Sequence, residues 1–198
     1  MTKGIMKGLA LAGLGLALVA NTAQAQKPGV ELGINLIGFS MINPDGDDNN
    51  ITAMNIGTAS FGGLALNTGS GVTAAFYLSE MIAIEPQLGW GSMKLEGADD
   101  ATSILAIGVG VPIYLKKGWG KAGGLFVTPF VGYNSLSSGG ESSSQLHFGA
   151  NAGTKIKIAD NLFWRGAVGF DMGQENEDDG IPSTTTFGLQ FGLTAYLN

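Results

Sequence analysis

The stretch Leu105-Ala106-Ile107-Gly108-Val109-Gly110-Val111-Pro112-Ile113-Tyr114-Leu115 decides how the rest of the chain is read. Leu105, Ile107, Val109, Val111, Ile113 and Leu115 share one parity, and Ala106, Gly108 and Gly110 take the other. A period of two marks a β-strand with two unlike faces. The uncharged run over residues 104–115 is too short for a spanning helix of ~20 residues, but it suits a membrane strand of ~9–11.

Outward from this stretch the same alternation recurs. Before it, Val30, Leu32, Ile34 and Leu36 oppose Glu31, Gly33 and Asn35. Leu64, Leu66, Val72, Ala74, Phe76 and Leu78 oppose Thr73 and Tyr77, and Ile82, Ile84, Leu88 and Trp90 oppose Ala83, Glu85, Gln87 and Gly89. After it, residues 125–134 carry aromatics on both parities, which leaves their faces open. Leu146, Phe148, Ala150, Ala152, Ile156 and Ile158 then oppose His147, Gly149, Asn151, Gly153, Lys155 and Lys157. Leu162, Trp164, Val168, Phe170 and Met172 oppose Arg165, Ala167, Gly169 and Asp171. Finally Phe187, Leu189, Phe191, Leu193, Ala195 and Leu197 oppose Gly188, Gln190, Gly192, Thr194 and Tyr196. The connections alternate in length: short at 79–81 and 159–161, intermediate at 116–123, long and polar at 42–60, 96–101, 135–144 and 173–183. Eight strands with alternating short turns and long loops describe an all-β fold, an eight-stranded antiparallel up-and-down transmembrane β-barrel. The long first loop leaves open an extra hairpin, which would make ten strands.

Composition explains the two faces. The chain has 33 Gly in 198 residues and only 13% charged residues. One face is aliphatic and aromatic, whereas the other is Gly, Ala, Thr and scattered charge. A soluble sandwich would cover its outer face with Lys and Glu. A barrel this narrow has room inside only for its own side chains, which small inward residues satisfy. A soluble lipocalin-like carrier is the competing fold, and it requires the aliphatic face to point inward around a ligand. The net charge of −6 excludes a nucleic-acid partner, which would demand basic patches. Absence of Cys excludes disulfides, thiol catalysis and iron–sulfur ligation, and no cofactor is indicated.

The N-terminus reads as an address. Lys3 and Lys7 precede an apolar run over residues 9–20, and Ala23-Gln24-Ala25 is a small-x-small cleavage site. Residues 1–25 are expected to be a secretory signal peptide and residues 26–198 the barrel domain.

These residues resemble a family. The alternating segments, the turn Tyr77-Leu78-Ser79-Glu80-Met81 and the closing Phe187-Gly188-Leu189-Gln190-Phe191-Gly192-Leu193 are similar to the small outer-membrane β-barrel proteins of the OmpA/OmpX type. The resemblance covers the chain after residue 25. It implies a bacterial outer-membrane location, contact with outer-membrane lipids and the barrel-insertion machinery, and a surface ligand or host partner at the outer loops. Members end in an aromatic residue that the insertion machinery reads. Here the aromatic stands two residues earlier, in Ala195-Tyr196-Leu197-Asn198.

Candidate site residues follow from face and height. Glu31, Glu85, Lys155 and Arg165 each stand two to four residues up their strands from the short-turn end, with inward parity. Two acids and two bases at one height are expected to pair as a salt-bridge plug closing the lumen. Single charges reaching water at the barrel mouth are the simpler alternative. Tyr77, Trp90, Tyr114, Trp119, Tyr133, Trp164 and Tyr196 lie near strand ends and are expected to form two aromatic belts at the membrane interfaces.

Other motifs fail or stay weak. Asp45-x-Asp47-x-Asn49 begins like a calcium loop, but Asn50 and Ile56 occupy the positions of its Gly and Glu, so no metal site is expected. Glu141, Ser144 and His147 invite a hydrolase reading. Lipid deacylases of similar barrels place Ser two residues after the His, where Gly149 stands here. The expectation is a non-enzymatic surface protein with acidic outer loops and a closed lumen. A narrow channel for small solutes is the alternative, and a lipid-modifying enzyme ranks below it.

Overall fold

A computed structural model describes residues 29–44, 51–56, 59–61, 71–93, 102–118 and 120–197. The expected signal peptide, Trp119, the acidic residues 45–48 and 96–100, and Leu64 and Leu66 lie outside these residues.

Eleven β-segments make one closed antiparallel wall. They are β1 Val30–Pro44, β2 Ile51–Ile56, β3 Ala59–Phe61, β4 Gly71–Tyr77, β5 Ala83–Met93, β6 Thr102–Gly110, β7 Ile113–Tyr114, β8 Gly124–Ser138, β9 Glu141–Ala159, β10 Leu162–Gly173 and β11 Thr184–Leu197. The wall runs β1, β4, β5, β6 with β7, β8, β9, β10, β11, and β11 pairs back onto β1 from Val30↔Leu197 to Pro44↔Thr184. This is a closed eight-stranded barrel, in which the β1–β11 ladder takes the place of the two edges an open sheet would leave.

The deciding stretch is two segments of one barrel strand. Pro112 has no N–H for the ladder, so β6 stops at Gly110 and β7 resumes at Ile113. Alternation crosses the break: Val111, Ile113 and Leu115 stay outward, and Pro112 and Tyr114 are buried. Flanking bonds hold the ladder there, from Val111 N to Pro129 O (2.9 Å) and from Ala83 N to Pro112 O (3.0 Å). In β8 the ambiguous faces resolve, with Phe126, Thr128 and Phe130 inward and Leu125, Val127 and Val131 outward. In β1 the register slips between Asn35 and Ile37. This bulge takes Leu36 off the face it was expected to share with Leu32, and beyond it the odd residues Ile37, Phe39 and Met41 face out.

The loop end departs from expectation in two places. The first loop does form a hairpin, but not two through-going strands: β2 pairs with Ile37–Ile42 of β1, and β3 folds back on β2 beside β5. Together they occupy the wall beyond the end of β4 at Gly71, whose partner is Gly89. Second, no loose loop spans 135–144. β8 and β9 run on to a two-residue turn at Gly139 and Gly140, with φ of 59° and 84°. Two consecutive positive φ values are the twist-matched hairpin geometry that a Gly-Gly pair supplies without steric cost. At 15 and 19 residues, these strands exceed the ~9–11 that cross a bilayer, so the hairpin stands clear of it.

The outer surface decides between membrane and water. Leu32, Leu88, Leu105, Val127, Val168 and Phe187 are all exposed, and the apolar band encircles the wall. A soluble carrier would have buried these side chains, so the lipocalin-like reading is overturned. Buried residues are instead mostly polar, among them Thr73, Asn134, Asn151, Thr186 and Gln190. That inversion is the pattern of a lipid-facing barrel.

Candidate functional site

The period of two points Glu31, Glu85, Lys155 and Arg165 inward, and the register sets them around one ring. Lys155 on β9 stands directly opposite Arg165 on β10, so one wall carries two adjacent cations. Glu31 on β1 and Glu85 on β5 lie either side of β4, whose inward residue between them is Ala75. Alanine leaves both carboxylates free to cross the lumen. Lys155 Nζ donates to Glu31 Oε2 at 2.5 Å, and Arg165 Nη1 donates to Glu85 Oε2 at 2.5 Å. Both bonds cross the interior, because β5 and β10 are four strands apart in a wall of eight and β1 and β9 are three apart. Both carboxylates are 1% exposed and Lys155 is 2% exposed. Like charges side by side on one wall would repel, and buried single charges would be costly, so each cation needs its own acid.

Aromatic rings complete the layer. Tyr77 Oη donates to Glu31 Oε2 at 2.6 Å and lies 3.1 Å from Tyr114 Oη. The Tyr77 ring packs against Tyr114 at 5.7 Å and Tyr196 at 5.6 Å between centroids. Lys155 Nζ sits over Phe163 (4.7 Å) and Tyr114 (5.2 Å), and the Arg165 guanidinium over Phe126 (4.6 Å). Ring faces attract cations that have lost water, so this cage supports the buried charges. Gln87 Nε2 adds a bond to Glu85 Oε1 at 3.3 Å. The turn between β7 and β8 closes over the layer. A Cβ at Gly120, whose φ is +70°, would come within 1.8 Å of Tyr77 Oη.

This geometry corrects the belt expectation for three residues. Tyr77, Tyr114 and Tyr196 point into the lumen, because their parity is that of Thr73, Gly110 and Gly192. The Tyr77 and Tyr114 hydroxyls find polar partners inside, and the Tyr196 ring packs on Tyr77 under the Lys121 ammonium. Trp90 and Trp164 do face outward, at 50% and 45% exposed, and Trp164 stacks on Phe191 at 5.6 Å. Tyr133 is half-buried on the outward parity, opposite Leu146.

A second polar group lies further toward the loop end. His147 Nδ1 is 2.9 Å from Asp171 Oδ1, a pair the sequence reading did not connect. The hydrolase residues do not assemble. Ser144 bonds through its N and Oγ to Asp179 Oδ2, at 2.8 and 3.2 Å, and its carbonyl accepts from Asn176 Nδ2 at 2.7 Å. These bonds, with Gln145 Nε2 to Pro182 O at 3.0 Å, fasten the loop after β10 onto β9. Described charges at the loop end are acidic, Glu141, Glu175, Glu177, Asp178 and Asp179, while Lys116, Lys117 and Lys121 mark the turn end. Among the described residues no three His, Cys, Asp or Glu side chains group to hold a metal.

A closed antiparallel wall, apolar outside and charged within, defines a transmembrane β-barrel of the bacterial outer membrane. Residues 9–194 match the family described as the outer membrane protein beta-barrel domain, and the chain belongs to it. Among solved structures it is similar to Neisserial surface protein A, at 8% identity and TM-score 0.60, covering 84% of this chain and 96% of that one. It is also similar to Ail, the attachment invasion locus protein of Yersinia pestis, in complex with the heparin analogue sucrose octasulfate. There the identity is 10% and the TM-score 0.50, covering 86% of this chain and 99% of that one. At such identities the likeness is one of fold. Comparison with curated protein sequences found no match.

Proposed function

We propose that this barrel is a non-enzymatic surface component of the outer membrane, with a lumen shut by side chains and its contacts made through the outer loops. The observation that carries the reading is the pair of buried ion bridges tying opposite walls within a ring of Tyr77, Tyr114, Phe126 and Phe163. A path for solutes would have to break a bridge and leave its buried charges unpaired, which costs several kcal/mol for each. Lipids contact the apolar band, and Tyr196 and Leu197 close the last strand, which the insertion machinery would meet. Ser144 and His147 engage different partners, so no nucleophile is activated. The Ail structure holds a polyanion. The described loop end here is acidic, so its partner is cationic or neutral.

Planar-bilayer recording of the purified barrel tests this reading. Wild type is expected to be silent. The double variant Glu85→Ala/Arg165→Ala, which removes one bridge without stranding a charge, is expected to show small, steady openings. Steady conductance in wild type would replace this reading with the narrow channel.

A further inference from the structure

Beyond the charged layer, the loop-end half of the lumen holds polar groups that the protein leaves without partners. His147 and Asp171 are 2% and 0% exposed, and Nδ1 faces Oδ1 at 2.9 Å. The carboxylate can only accept, so Nδ1 carries the proton of this bond, and in the singly protonated tautomer Nε2 is left as an acceptor. Neither His147 Nε2 nor Asp171 Oδ2 has a hydrogen-bond partner. The register extends this shortage along one wall. Asn134 stands opposite Gln145, one row toward the loops, and both of its amide atoms are unpartnered. Asn151, opposite Thr128 and two rows inward from His147, has an unpartnered Oδ1. Asp171 lies in the row between, opposite Gly149, whose missing Cβ would fall 2.7 Å from the Asp171 Cβ. Neighbouring inward positions at Gly132, Gly149 and Gly169 have no side chain with which to supply a donor.

The unmet need has a definite chemistry. Four buried acceptors, His147 Nε2, Asp171 Oδ2, Asn134 Oδ1 and Asn151 Oδ1, face a single amide donor group, Asn134 Nδ2, and the Thr128 hydroxyl. Opposite the singly protonated imidazole, the Asp171 carboxylate has no cation of its own among the described residues, whereas Glu31 and Glu85 are each paired with one. Leaving such atoms dry and unpaired costs about 1–3 kcal/mol apiece. A neutral polyol brings acceptors as well as donors and leaves the carboxylate uncompensated. A hard metal ion wants six or more oxygens, which the wall does not offer. A small cation rich in N–H donors meets both the charge and the acceptor excess, and the acidic loop end would concentrate it at the mouth. We infer that the loop-end half of the lumen binds a small alkylammonium ion through Asp171 Oδ2, His147 Nε2 and Asn151 Oδ1. The inference does not depend on the turn end being shut.

His147 is the only histidine, so one imidazole signal reports the site. The barrel, refolded in detergent micelles and checked by its unheated gel mobility, is titrated with methylammonium chloride at pH 8 and constant ionic strength. The imidazole nitrogens are followed by ¹⁵N NMR. A saturable Nε2 shift is expected in the millimolar range, absent with tetramethylammonium, which has the charge but no N–H. Asp171→Asn is expected to weaken binding about tenfold or more, the loss of a charge-assisted bond. Asn151→Ala, which keeps the His147–Asp171 bond, tests the site even if the first variant does not fold, and a several-fold weakening is expected. No saturable shift, an equal response to tetramethylammonium, or an unchanged midpoint in Asn151→Ala would each overturn the inference.

Discussion

Lys155 shows how much one residue can commit a fold to. Its ammonium is buried, bonded to Glu31 and roofed by Phe163 and Tyr114. Lys155→Met keeps most of the volume but strands the Glu31 carboxylate. The expected cost is about 3–5 kcal/mol, read as a lower urea midpoint for the folded form in lipid vesicles. Glu31→Gln/Lys155→Met removes both charges and is expected to recover most of that loss, because a buried pair replaced as a pair is nearly neutral. Equal destabilisation by the single and double variants would show that packing, not charge, matters here. The sequence announced these four charges because parity fixes a face and distance from the turns fixes a height. It did not announce who pairs with whom, since Lys155 and Glu31 are 124 residues apart and their meeting depends on how the wall is staggered. Tyr77, Tyr114 and Tyr196 were misplaced for a related reason. Position near a strand end suits a belt and a lumen alike, and only their parity, shared with Gly and Thr, separates the two. His147 and Asp171 were legible as inward residues, but their adjacency required the register of β9 on β10.

Among elements, the turns carry different burdens. Gly120 and Gly140 both have positive φ, +70° and +84°. A Cβ at Gly140 meets nothing within 4 Å, whereas at Gly120 it strikes the Tyr77 hydroxyl. Gly140→Ala is therefore expected to cost only the left-handed backbone penalty, about 1–2 kcal/mol. Gly120→Ala adds displacement of a ring that holds Glu31 and should cost about 1–3 kcal/mol more. Paired urea titrations of the two variants check the order, and equal losses would show that the turn between β7 and β8 does not cap the lumen. The eight wall strands were readable, because a two-residue period survives even the break at Pro112, but the faces of β8 and the bulge that displaces Leu36 were not. Strand ends were not. The serines at 142–144 read as loop, yet they continue β9, because a Gly-Gly turn lets both arms of the hairpin run on.

At the scale of the molecule, the outward band sets the orientation of every strand. Val168, in the middle of β10, is 55% exposed, and lipid surrounds it. Val168→Arg is expected to cost about 2–4 kcal/mol in bilayers, as charge at the midplane of a lipid-facing wall does. In a water-soluble barrel the same change at an exposed site would be nearly silent, so an unchanged midpoint would contradict the membrane placement. The closed wall also bears on assembly. β1 meets β11 only when the last strand arrives, and the Glu31–Lys155 bridge joins strands drawn from opposite ends of the chain. Until that moment the growing sheet is a curved ribbon, greasy on its convex side and carrying four unmatched charges in its hollow. Such a ribbon can lay its back against lipid but cannot turn its hollow to it. The Glu31–Lys155 bridge thus works as a latch across the seam, holding together strands that only the closed wall brings face to face.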